Sequence, residues 1–133
     1  METVKSVQLL ISGIIIGIVL FQTSLSAPIV FKFLEPNQSK IYIRKIFPKI
    51  FTFIFLLGIA FLALSFLSNH ATASQITVGL ITVSFSLICY LMIPATNKSR
   101  DEGNNKKFKL LHRLSVILTM IVFFIHLFWS FIS

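Results

Sequence analysis

Cysteine occurs once in this chain, at Cys89, so no disulfide can form within it and the redox compartment cannot be read from thiol usage. Charge is scarce as well. Only 12% of residues are charged, and none lies deep in an apolar run, which argues against an ion-coupled pump built from one copy alone. No nucleophile-elbow, phosphate-loop or zinc-ligand spacing is present, so no catalytic motif announces a reaction. The net charge of +8 comes without a recognition motif, and the basic residues border apolar runs, which excludes nucleic acid as a partner.

What the chain does have is apolar length. Hydrophobic residues make up 56% and the mean hydropathy is +0.91, far outside the soluble range. Four long runs carry most of it, at 7–27, 50–68, 76–93 and 114–132. A helix needs roughly 20 apolar residues to cross about 30 Å of hydrocarbon. A membrane strand would alternate in polarity, whereas Phe53-Ile54-Phe55-Leu56-Leu57 is continuously apolar. The expected fold is therefore all-α: a polytopic, four-transmembrane-helix bundle forming one domain over 1–133, with basic loops at 28–49 and 94–113.

Basic residues set the expected orientation. Lys32, Lys40, Arg44, Lys45 and Lys49 follow the first run, and Lys98, Arg100, Lys106, Lys107, Lys109 and Arg113 follow the third. By the positive-inside rule both gaps face the cytoplasm and both termini lie outside, in a multi-pass membrane protein. Anionic lipid headgroups are the expected partners of these loops, alongside the bilayer itself, at about 1 kcal/mol per basic residue. Lys5, the first run and Ser24-Leu25-Ser26-Ala27 also have the form of a secretory signal with a cleavage site. Cleavage would place both basic clusters outside, so the first run is read as a retained span.

Pro28 is expected to kink or end the first helix, and Glu35-Pro36-Asn37-Gln38-Ser39 to turn, with Ser39 as N-cap. Residues 40–47 then suit a short interfacial helix, with Pro48 in the first turn of the second span. The 69–75 connection reads as a short uncharged hairpin, and 96–109, the most polar stretch, as a mobile loop.

Helical spacing groups the small and polar residues. Gly13, Gly17, Leu20, Ser24 and Ala27 fall within about 40° of a line on the first helix. They are expected to form a packing seam, with a homodimer face as the alternative. On the third helix Gly79, Thr82, Ser86 and Cys89 share a face of about 80°, read as a second packing seam. On the fourth, His112, Ser115, Thr119, Val122, His126 and Trp129 lie within about 100°. Polar atoms at membrane depth must meet protein or water, so this face is expected to look inward as a polar track through His112, Ser115, Thr119 and His126. His112 and His126 are about 21 Å apart along an ideal helix, too far for one mononuclear metal. Phe47, Phe51 and Phe55 form a ridge read as packing, and Trp129 reads as an interfacial anchor.

Two segments carry a resemblance. Ser26-Ala27-Pro28-Ile29-Val30-Phe31 with Ile46-Phe47-Pro48 is one; the other runs from Pro94 through Asn97, Arg100 and Asp101 to Lys107-Phe108-Lys109-Leu110-Leu111-His112-Arg113-Leu114-Ser115-Val116. Together with the four runs they resemble the transmembrane protein 205-like family, also known as a bacterial domain of unknown function. The resemblance marks Ala27, Pro28, Phe31, Phe47, Pro48, His112, Arg113 and Ser115 as motif positions. It implies a small four-helix protein with no settled activity, similar in outline to copper-resistance-type membrane domains and to haem-binding oxidases of porphyrin synthesis. This chain departs from a bis-histidine haem site in having no histidine in its first three spans.

The expected function is thus a non-enzymatic membrane protein, either a helper in transport or stress tolerance or a subunit of a larger assembly. A homo-oligomer or another membrane protein is the partner to look for. The alternative is a haem- or metal-dependent redox protein using His126, His112 or both, in one copy or across a dimer.

Overall fold

The computed structural model describes residues 2–133, and among these the regular structure is entirely helical. α1 (Glu2–Phe21) passes through a π turn (Gln22–Ser26) into α2 (Ala27–Phe33), and these three pieces form the first span. α3 (Pro36–Leu67), α4 (Ala73–Asp101) and α5 (Asn105–Ile132) form the others. All four are long and apolar enough to cross a membrane. α1 lies against α3 and α5, α4 lies against the same two, and α1 and α4 face each other across the diagonal.

Pro28 does not end the first helix. Its ring removes one backbone donor, and the wider π turn just before it carries the chain through: the Ala27 N–H reaches back to the Gln22 carbonyl. The helix continues to Phe33 and then turns sharply. Glu35, not Ser39, is the N-cap of α3, with Pro36 in its first turn and the Gln38 side chain accepting from the Glu35 N–H at 3.4 Å. Ser39 is buried instead, and its hydroxyl donates to the Val30 carbonyl at 3.2 Å, tying the end of α2 to α3.

No separate interfacial helix forms over 40–47. α3 is one helix of 32 residues, with Pro48 inside it. At about 1.5 Å per residue it is roughly 48 Å long, so it extends well past the hydrocarbon layer. Nor is 96–109 a loop. α4 continues through Pro94 to Asp101, and α5 begins at Asn105. Only three residues separate them, because Gly103 takes a φ of 70° and closes a Schellman turn: its N–H bonds to the Arg100 carbonyl and the Asn104 N–H to that of Ser99. Asn104 then caps α5 by accepting from the Lys107 N–H at 3.2 Å. At the other end Thr72 and Gln75 form a reciprocal capping box that starts α4.

The closest backbone approach is between α3 and α4. A Cβ added to Gly79 would stand 3.2 Å from the Leu62 Cα, and one added to Gly58 would stand 2.8 Å from the Thr82 side chain. The first-helix seam faces the other way. Gly13, Gly17, Leu20 and Ser24 are exposed, and a Cβ on either glycine would meet nothing within 4 Å. Gln8 and Ser12 determine the rotation of α1: a buried amide or hydroxyl without a partner costs several kcal/mol in lipid, whereas glycine on a lipid face costs little.

Candidate functional site

The two ends of the bundle are built differently. Toward the charge-poor end, where Glu2 and Lys5 are the only charged side chains, polar groups close the interior. Gln8, fully buried on α1, donates to the Phe61 carbonyl (3.0 Å) and to Ser65 Oγ (2.8 Å) of α3, while its oxygen accepts from Gln75 Nε2 of α4 (2.9 Å). One turn further in lies His126, also fully buried. Thr82 spends its single hydroxyl hydrogen on the Val78 carbonyl at 2.7 Å. His126 Nε2 must therefore donate to Thr82 Oγ1 (2.7 Å), and in the neutral ring Nδ1 accepts from Ser12 Oγ (2.8 Å). Phe61 meets the imidazole edge-on at 5.4 Å and Trp129 at 5.0 Å. Four helices converge on one ring.

His126 thus keeps the inward position expected of it, but both nitrogens already hold hydroxyls, so an axial bond to haem or metal would require breaking one of them. Trp129 is no interfacial anchor; it is 3% exposed, because the Phe61 ring recruits it into the core. Among the described residues no group of three or more His, Cys, Asp and Glu could hold a metal ion.

Toward the basic end the helices part. α1 touches α5, but α2, beyond the π turn, does not. The turn and the ties Ser26 Oγ to Tyr42 OH (2.9 Å) and Ser39 to Val30 draw the first span toward α3 and away from α5. Between them opens a cavity of about 520 Å³, within the range of small-molecule sites. Val19, Phe51 and Met120 are among the apolar residues of its wall, and Lys40, Arg44 and Arg100 line it without any Asp or Glu.

The predicted track on α5 is divided between these regions. His112, Ser115 and Thr119 line the cavity; Val122, 2% exposed, seals them from His126. Thr119 donates to the Ser115 carbonyl at 2.8 Å. Ser86, in the α4 seam, donates to the Thr82 carbonyl at 2.6 Å, and Cys89 to the Ser115 carbonyl at 3.8 Å. Of the motif positions, Ala27, Phe31, Phe47, His112 and Ser115 all line the cavity, while Pro28, Pro48 and Arg113 do not.

The mouth has its own order. Arg44 grips Asp101 through two bonds of 2.6 and 3.2 Å, and Lys40 reaches the same carboxylate at 2.9 Å. Hydrogen bonds from Arg44 and then Lys40 hold the Asp101 carboxyl below the usual range, at about 2. Arg100 lies over the Phe108 ring at 5.3 Å, and Phe108 stacks on His112 at 5.8 Å.

This helical scaffold matches one family model, that of the domain of unknown function DUF4149, over residues 10–105. The chain belongs to that family. The match takes in α1 from residue 10, the π turn, α2, α3 and α4, and ends before the His112 motif. No curated protein and no solved structure matches the chain.

Sequence reasoning missed Gln8, Ser65, Gly58 and Gln75. Gln8 carried a usable signal, an amide inside an apolar run that must find a partner.

Proposed function

We propose that this protein is a non-enzymatic binding component of the bacterial inner membrane, a helper in transport or stress tolerance, akin to the transmembrane protein 205-like proteins it resembles. Its charge-poor half is a fixed scaffold. Its basic half, turned to the cytoplasm, receives an apolar molecule from the bilayer through the gap between α2 and α5. The observation that carries this is the cavity of about 520 Å³, walled largely by apolar side chains and bordered by two helices that do not touch. Its hydroxyls at Ser115 and Thr119 have no histidine or carboxylate bonded to them that would activate a nucleophile.

Native mass spectrometry of protein released from membrane vesicles tests this. The expected spectrum shows one apolar molecule retained per chain, lost when Thr119→Phe fills the cavity. Bare protein in both spectra, or turnover of a substrate by the purified chain unaided, would count against it.

A further inference from the structure

The cavity's mouth and wall together specify more than an apolar guest. Three cations line it, Lys40, Arg44 and Arg100, and the Asp101 carboxylate beside them pairs with Lys40 and Arg44 only. Two positive charges are left over. Arg100 has no carboxylate partner among the described residues, and its guanidinium is held only by the face of Phe108. Deeper in, Gln22 of the π turn is 9% exposed, lines the cavity, and makes no side-chain hydrogen bond among the described residues. No fully buried side-chain nitrogen or oxygen lacks a partner among the described residues, so the unbonded Gln22 amide is the accessible part of that side chain, open to a guest. Every other buried glutamine, Gln8 and Gln75, is bonded.

Length and volume narrow the guest. From Val19 to Phe31, the first-span residues that bound the cavity, an ideal helix rises about 18 Å. At about 30 Å³ per water-sized group the space holds on the order of 17 such groups, one acyl chain and its linkage rather than two chains. We propose that the cavity binds a single-chain anionic lipid drawn from the bilayer. Its acidic head lies at the mouth against Arg100 and the Lys40–Arg44 pair. Its ester linkage accepts from the Gln22 amide, and its chain runs inward to Val19, Phe51 and Met120. Arg100 on Phe108 is a mobile counter-charge, since leaving a ring face for a phosphate or carboxylate exchanges a weaker contact for a charge-assisted one.

This ligand class rests on the cavity being a binding site at all, and the experiment separates the two. Protein in phosphatidylcholine vesicles is photolabelled with 1-acyl-glycerol phosphate carrying a diazirine at the end of a twelve-carbon chain, and in parallel with the matching monoacylglycerol, which lacks only the phosphate. Adducts are mapped by peptide mass spectrometry. The phosphate probe is expected to label cavity-wall residues at least fivefold more than its neutral counterpart. Arg100→Gln should remove that preference, Arg100→Lys should keep most of it, and Gln22→Leu should lower labelling by both probes. Equal cavity labelling by both probes, unchanged in Arg100→Gln, would overturn the anionic ligand while leaving an apolar site. Labelling spread over outward residues such as Leu10 and Phe128, with no cavity preference, would overturn both. Thermal unfolding of each variant in the same vesicles shows that Arg100→Gln and Gln22→Leu are folded.

Discussion

The charge-poor and basic halves of this bundle use the same four helices and the same stock of hydroxyls and amides, yet one half spends them on itself. Ser12 and Thr82 both bond to His126, Ser65 and Gln75 both bond to Gln8, and Phe61 and Trp129 fill the space around them. In the basic half Ser115 and Thr119 stand on a cavity wall, and Gln22 has no side-chain bond. The difference lies less in composition than in direction: five residues of π turn send the first span toward α3, and the side chains that would have met α5 face open space. Closure therefore depends on where a helix goes, not only on what it carries.

Breaking the closed half should have the largest effect. His126→Leu removes two interhelical hydrogen bonds and an edge contact with Phe61, at about 0.6 kcal/mol per bond in membrane proteins plus about 1 for the ring pair. A loss of about 2 kcal/mol is expected in reversible unfolding from mixed micelles. Next comes the α3–α4 seam. Gly79→Ala would put a methyl against the Leu62 backbone and cost about 1 to 2 kcal/mol, whereas Gly17→Ala, on an exposed face with open space around it, should change unfolding by less than about 0.5.

Changes at the open half should be smaller. Thr119→Phe has room to enter the cavity and should shift stability within about 0.5 kcal/mol while abolishing ligand retention. The mouth's ion pairs add a pH-dependent tie. Asp101 has its carboxyl lowered from 3.8 to about 2, so the Arg44–Asp101 contact is complete above about pH 4 and is lost as pH falls through about 2. Amide exchange around 97–104 should stay slow in the wild type down to pH 4. Asp101→Asn should speed it at neutral pH.

Hydropathy made the four spans legible, and the cost of polar atoms in lipid put His126 inward. The same cost applied to Gln8 would have oriented α1 correctly. Gly13 and Gly17 do not pack inside the bundle, because a glycine pair shows that close approach is allowed, not that a neighbour in the same chain is present. The 96–109 stretch looked like a loop by composition, since its order comes from Asp101 pairing with Arg44 fifty-seven positions earlier and from a glycine turn of three residues. Pro28 and Pro48 were visible as helix breakers, but a membrane helix can continue through both. The cavity itself could not be read, because it arises from a bend and the separation of two helices.

The contrast between the halves is tested most directly by thiol accessibility on α5. In a Cys89→Ser background, single cysteines at Ser115 and at Val122 are exposed to a small methanethiosulfonate reagent in membrane vesicles. The account predicts rapid modification at 115, on the cavity wall, and none at 122, in the sealed layer above it. Equal rates at the two positions would contradict it.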